Sequence, residues 1–137
     1  MATSRRRFTT LVDSRFEGRS IEIYVLSGEK LTGLIDEVAV NEIGLLVEGT
    51  PTIVPRTSIL YMITGLSDIH GFGECCESDF VLDDDFIGSD ISVKLVNGEE
   101  VSGRLVKITR NEIGVIQGNR ALIIPKSSMV YVKILRR

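Results

Sequence analysis

The chain has 137 residues, of which 43% are hydrophobic and 26% charged, and its formal net charge is −3. No apolar run approaches the roughly 18 residues needed to cross a bilayer, and no apolar stretch follows the basic N-terminus as it does in a secretory signal. We therefore expect a cytoplasmic protein without a membrane span. Val, Ile and Leu dominate the apolar residues and Trp is absent, a profile that favours sheet over helix.

The first 64 residues predict a short helix followed by five strands. The helix is expected over residues 8–14. The strands follow from β-branched residues that alternate with period two, and from the turn residues between them. They are predicted at residues 21–26, 30–38 and 43–47, in a short run that ends at Pro55, and at residues 59–63. Gly33 lies inside the second strand, where a missing side chain indicates a sharp bend or close backbone approach.

Residues 65–85 predict an acidic connector, because they hold turn residues and acids without any period. Residues 71–85 carry six Asp or Glu and no Lys or Arg. The two cysteines, Cys75 and Cys76, are adjacent, and neighbouring cysteines rarely bridge each other without strain. A reduced pair in a solvated linker is favoured over a metal site with His70, because four well-spaced ligands are lacking.

Residues 86–137 repeat the first unit at an offset of 70 without a gap. Between residues 16–64 and 86–134, 14 of 49 paired positions are identical, including the shared run Asn-Glu-Ile-Gly that starts at Asn41 and Asn111. Asn97-Gly98 is a strong two-residue hairpin signal. The second unit is basic, with nine Lys or Arg against four Asp or Glu. A repeat of this kind predicts two structural copies.

The predicted fold is all-β, with two tandem five-stranded antiparallel barrels. The expected divisions are a first barrel with its helix at residues 1–64, the connector at residues 65–85 and a second barrel at residues 86–137. Units of roughly 50 residues have small cores and usually need a partner or a neighbouring copy.

The order of features resembles the Sm-like (LSm/Hfq) family. In that family a Gly-bearing strand and the Asn turn after it form one motif, and the last two strands form another. The matching stretches here are residues 26–35 with Asn41, residues 53–62, and their copies at residues 96–105 with Asn111 and 123–132. The resemblance covers about 100 of the 137 residues. The corner between the last two strands departs from the family, which has Arg-Gly or Tyr-Lys-His there, but Arg56 and Lys126 keep a basic residue.

The resemblance implies a ring in which the fourth strand of one barrel pairs with the fifth strand of the next. Tandem chains contribute barrels in pairs, so three chains would give a six-barrel ring. The resemblance further implies that the Asn turns and corners face the pore and bind single-stranded RNA, U- or A-rich, as in an RNA chaperone or processing factor. The candidate RNA-binding residues are Asn41, Arg56, Arg110, Asn111 and Lys126. An amide reads the edge of an unstacked base, and a cation neutralises phosphate.

Two other interpretations remain open. One is an oligomeric scaffold of the same fold that binds proteins and has lost RNA binding, which the acidic connector and altered corners suggest. The other is an unrelated small barrel that is monomeric. An enzyme is disfavoured, because the single histidine, His70, lies in the connector and no glycine-rich phosphate loop is present. No cofactor is expected.

Overall fold

The computed structural model describes residues 10–71 and 73–137, and the chain is all-β. The first half holds strands β1–β5 and the second half holds strands β6–β10. Their bounds are β1 Ser20–Val25, β2 Lys30–Val38, β3 Glu42–Val47, β4 Thr50–Pro55, β5 Ile59–Ile63, β6 Asp90–Leu95, β7 Glu100–Ile108, β8 Glu112–Gln117, β9 Arg120–Pro125 and β10 Met129–Arg136. The all-β prediction is confirmed, and the predicted strands agree with these bounds to within two residues.

All ten strands belong to one continuous antiparallel sheet, rather than to two separate sheets. The strand order is β5-β1-β2-β3-β4-β10-β6-β7-β8-β9. Each half therefore has the same internal order, and the two halves meet where β4 pairs with β10. In that pairing Ile53 lies opposite Val132, and Thr52 lies opposite Lys133. The strands left at the two ends of the sheet are β5 and β9.

Each half has its own apolar core, and the junction makes the two cores share residues. The core of the first half includes Val130 and Tyr131, which come from β10. The core of the second half includes Ile53 of β4 and Ala39, which follows β2. The two halves are thus packed together as well as hydrogen-bonded.

Gly33 and Gly103 allow close approach of the neighbouring strand, as their position in the second strand of each unit predicts. A Cβ at Gly103 would lie 2.6 Å from the carbonyl oxygen of Ile116 on the neighbouring strand. A Cβ at Gly33 would collide with the carbonyl oxygen of Leu46. Both obstacles are backbone atoms, which shift at a higher cost than the end of a flexible side chain. The pairing of each of these strands with the next strand shifts register further along, between Ile35 and Glu37 in β2 and between Leu105 and Lys107 in β7.

The helix predicted at residues 8–14 is wrong for the residues that the structure describes, while Phe8 and Thr9 lie outside them. Residues 10–13 are not helical, and a three-residue 3-10 turn, Ser14–Phe16, takes the place of a helix. The Asp13 carboxylate accepts a hydrogen bond from the backbone N–H of Arg15 and caps this turn. The β-branched residues before Asp13 have low helix propensity. The second half has the same capped 3-10 turn at Asp84–Phe86, where Asp83 is the cap. The structural repeat therefore begins before residue 16.

The connector packs against the sheet instead of lying free in solvent. Val81 and Leu82 are buried in the core of the second half. The sulfur atoms of Cys75 and Cys76, expected as a reduced pair, are in contact, and both side chains pack against the core of the first half.

Candidate functional site

In each half, the turn between the second and third strands is tied to the corner between the last two strands. The proline that ends β4 or β9 is followed by a 3-10 turn that starts at the basic residue of the corner. The backbone N–H of Arg56 donates to the carbonyl of Asn41 at 2.9 Å, and that of Lys126 donates to the carbonyl of Asn111 at 2.8 Å. An asparagine and a basic residue are therefore neighbours at the same end of each half.

The two turn-and-corner pairs surround one open cavity of about 530 Å³. Its lining includes all five residues that the sequence nominated, namely Asn41, Arg56, Arg110, Asn111 and Lys126. The cavity lies between the halves because β4 and β10 are adjacent, which brings the two corners side by side. Phe80, from the connector, also lines it.

Arg56 directs its guanidinium toward the backbone of its own half. Nη2 donates to the carbonyl of Val12 at 2.8 Å and to that of Ala39 at 3.0 Å, and Nε donates to Ala39 at 3.2 Å. Burial lowers the pKa of Arg56, and the nearby Asp13 carboxylate partly offsets this. A guanidinium with this many carbonyl partners ties the corner to the segments around residues 12 and 39.

Asn41 is engaged by the connector. Its side-chain Nδ2 donates to the carbonyl of Asp79 at 3.1 Å, and its backbone N–H donates to the same carbonyl at 2.9 Å. The N–H of Val40 donates to the carbonyl of Ser78. The connector thus lies along the turn of the first half and uses the amide that was expected to contact a ligand.

Glu42 anchors the next two residues of the connector. One of its carboxylate oxygens accepts hydrogen bonds from the N–H groups of Val81 at 2.7 Å and Leu82 at 2.9 Å, and the side chain is buried. Burial raises the pKa of Glu42, while these two bonds and the positive charge of Lys126 act against the rise. The equivalent residue of the second half, Glu112, is exposed.

Phe80 is held by this docking so that its ring faces the basic residues of the second half. The Lys126 ammonium lies 3.8 Å from the ring centroid, and the Arg110 guanidinium carbon lies 5.8 Å from it. Both distances are within the range of a cation–π contact. Burial lowers the pKa of Lys126, and the Glu42 carboxylate opposes that shift.

Asn111 differs from its counterpart in the first half. It is exposed at the cavity, and its amide makes no hydrogen bond with any described residue. Its two donors and its acceptor are therefore free to meet a ligand. Of the two asparagines at the cavity, Asn41 has its side-chain amide hydrogen-bonded to the connector and Asn111 does not.

The sequence did not single out Glu42 or Phe80 as site residues. Glu42 belongs to the repeated Asn-Glu-Ile-Gly run, so its presence was visible, but the repeat gave no reason for one copy to be buried and the other exposed. Phe80 lies in an aperiodic, acidic stretch, and only its contacts with residues 30 to 46 positions further along the chain place it at the cavity.

The described residues include no group of three or more His, Cys, Asp or Glu side chains that could hold a metal ion. None of the helical segments in the described part of the chain is long and apolar enough to cross a membrane.

Comparison with known proteins does not identify a family for the chain. No protein-family model matches it, and no curated protein matches it in sequence. The class that the fold and cavity define is therefore structural: an all-β chain whose duplicated halves share one sheet and together line one open cavity that contains arginine, lysine and asparagine side chains.

Proposed function

We propose that the chain is a ring-forming Sm-like protein, made of two five-stranded barrels, that binds single-stranded RNA. The observation that carries the RNA-binding part is the convergence of Asn41, Arg56, Arg110, Asn111 and Lys126 on one cavity. These residues were nominated from four separate segments of the chain, and only the fold brings them together. The family resemblance of the sequence motifs supports the same proposal.

The open side of the cavity has the chemistry that an unstacked nucleotide needs. The Asn111 amide offers donors and an acceptor to a base edge. Arg110 and Lys126 offer positive charge to phosphate, and the Phe80 ring offers an apolar face. Each of these contacts is available to a single strand, whose bases are not already paired.

Assembly into a ring is supported by a comparison of the junction inside the chain with the two ends of the sheet. At the junction, Ile53 is 2% exposed and Tyr131 is 2% exposed. Their counterparts at the offset of 70 are Ile123, which is 73% exposed, and Tyr61, which is 54% exposed. The same apolar surface that the junction buries is thus present, uncovered, on β9 and β5.

The junction also predicts the register between chains. Because Val132 pairs with Ile53 inside the chain, the equivalent pairing joins Met62 of one chain to Ile123 of the next. Unpaired edge strands either become covered or find a partner, and head-to-tail contacts that close on themselves cover them all. Three chains would close such a ring with six barrels.

Two polar contacts of the junction have counterparts at the free ends. Inside the chain, the Tyr131 hydroxyl donates to Glu29 at 2.8 Å, and the Ser58 hydroxyl donates to the carbonyl of Met129. The residues equivalent to Tyr131 and Glu29 at the offset of 70 are Tyr61 and Glu99, so the first contact predicts a hydrogen bond from Tyr61 of one chain to Glu99 of a neighbouring chain. The shared residues make the inter-chain contact a near copy of one that already exists.

The RNA-binding proposal is tested by fluorescence anisotropy with short oligo-U and oligo-A at several salt concentrations. Each cation that neutralises a phosphate of a single strand contributes about −0.7 to the slope of log K against log salt. The double variant Arg110→Ala with Lys126→Ala should therefore bind more weakly and reduce the slope by about 1.4. Lys107→Ala, which removes an exposed lysine of the same half outside the cavity, should leave both quantities unchanged.

The competing function is an oligomeric scaffold that binds proteins. It is favoured by the fact that Arg56 and Asn41 already have partners within the chain. Absence of binding to either oligonucleotide at low salt would contradict the RNA proposal and favour the scaffold. Binding that the double variant does not weaken would contradict the assignment of the cavity.

A further inference from the structure

The connector makes the two asparagine turns unequal. At the turn of the first half, its backbone carbonyls accept hydrogen bonds from Val40 and Asn41, and the side-chain amide of Asn41 is also used. At the turn of the second half, the connector places the Phe80 ring beside the cations and its aspartates near Arg110, but among the described residues it makes no hydrogen bond to Asn111. One copy of the turn is closed by the chain itself, and the other stays open.

The equivalent anchor is missing from the second half. Glu42 holds the connector through the N–H groups of Val81 and Leu82, whereas Glu112 is exposed. The Asn-Glu-Ile-Gly residues are identical at the two turns, so the difference between the turns comes from the connector and not from the repeated residues.

We propose that the connector builds one nucleotide subsite per chain, at Asn111, with Phe80 as the stacking surface for the base, while its backbone keeps the Asn41 turn closed. This inference rests on the proposed function and adds the aromatic surface that the corner residues lack. Arg110 and Lys126 take the phosphate, and the Asn111 amide contacts the base edge.

Stacking requires the Lys126 ammonium to leave the face of the Phe80 ring. Its four-carbon stem is flexible, so the charge can swing toward a phosphate while the base takes its place on the ring. The ring itself is fixed by a connector that is hydrogen-bonded on both sides of it, through Asp79 and Val81. A stacking surface that is held before the ligand arrives loses little side-chain freedom on binding.

The test uses the full chain and a six-nucleotide oligo-A with 2-aminopurine at one central position. Stacking of this base analogue on an aromatic ring quenches its fluorescence. Phe80→Leu keeps an apolar side chain and removes the ring, so it should abolish the quenching and weaken binding about tenfold or more. Phe80→Trp keeps a ring and should retain both, which separates loss of stacking from loss of folding.

The two asparagines provide the matched comparison. Asn111→Ala should weaken binding several-fold more than Asn41→Ala does, because the Asn41 amide is already bonded to the connector, and the titration should saturate at one nucleotide site per chain. Equal effects of the two substitutions, two sites per chain, or unchanged quenching in Phe80→Leu would overturn the inference and leave the proposed function standing. If the wild-type chain does not bind the oligonucleotide at all, the proposed function and the inference both fail.

Discussion

At the scale of single residues, the duplication shows how one amino acid takes different roles in equivalent places. Glu42 is buried and accepts two backbone N–H bonds, whereas Glu112 occupies the same position of the repeat and is exposed. Burial of a carboxylate is costly unless it is hydrogen-bonded, and here the connector supplies the donors. The connector and Glu42 therefore depend on each other.

We expect Glu42→Ala to destabilise the fold by about 2 to 4 kcal/mol, because two buried N–H groups lose their acceptor. Glu42→Gln retains one oxygen that can accept both bonds, so it should cost much less. Glu112→Ala is the matched control and should change the free energy of unfolding by no more than about 0.5 kcal/mol. Denaturant unfolding measures all three, and an equal loss in Glu42→Ala and Glu112→Ala would contradict the anchoring role.

The raised pKa of Glu42 predicts that the stability of the fold depends on pH. Burial raises the pKa of Glu42 above its ordinary value of 4.5, so the folded chain holds this proton more tightly than the unfolded chain does. The stability that this contributes is fully present below pH 4.5 and is lost as the pH rises through the raised folded value. Glu42→Gln cannot titrate, so its stability relative to wild type should increase over that window. Unfolding at pH 4 and pH 7 would test this, and a relative decrease would contradict it.

At the scale of the elements, the bent second strand of each half depends on its glycine. A Cβ at position 103 would meet the Ile116 carbonyl oxygen and the Val115 side chain, each at 2.6 Å. Gly103→Ala should therefore destabilise the chain by about 1 to 3 kcal/mol. Ser102→Ala, on the exposed side of the same strand, should be close to neutral. Thermal unfolding compares the two, and a neutral Gly103→Ala would show that the strand can move aside.

The strands could be predicted from the sequence, but the packing of the connector against the sheet could not. Alternation in residues 21–26 and 91–96, glycine turns and the strand-ending prolines are local signals, so they appear within a few residues. The position of Phe80 depends on contacts with Arg110 and Lys126, and no local pattern encodes such a separation. The helix predicted at residues 8–14 was wrong over the described residues because Asp13 caps a short 3-10 turn that begins at Ser14.

The candidate site was predictable only as a set of residues. The repeat and the family motifs nominated the asparagines and the corner cations, and all of them line the cavity. Their individual directions were not predictable: Arg56 and Lys126 are equivalent in the repeat, yet one bonds to backbone carbonyls and the other lies over an aromatic ring. That difference comes from what packs beside each corner.

At the scale of the whole molecule, the exposed Ile123 on β9 is expected to carry much of the contact between chains. Ile123→Asp places a charge where a neighbouring β5 should lie, so native mass spectrometry should show the wild type as a three-chain assembly and the variant as single chains. Ile87→Glu is the control, because it gives an exposed residue the identity of its repeat partner, Glu17. Wild-type chains that are monomeric at micromolar concentration would contradict the ring.

The junction between β4 and β10 also has a consequence for how such an assembly would respond to dilution. In a ring of three chains, half of the six junctions lie within a chain and never dissociate into separate molecules. The equilibrium between ring and free chains then varies with the third power of chain concentration, where six single-barrel subunits would give the sixth power. A tandem chain should therefore keep its quaternary structure at abundances too low for an untethered homologue of equal interface strength.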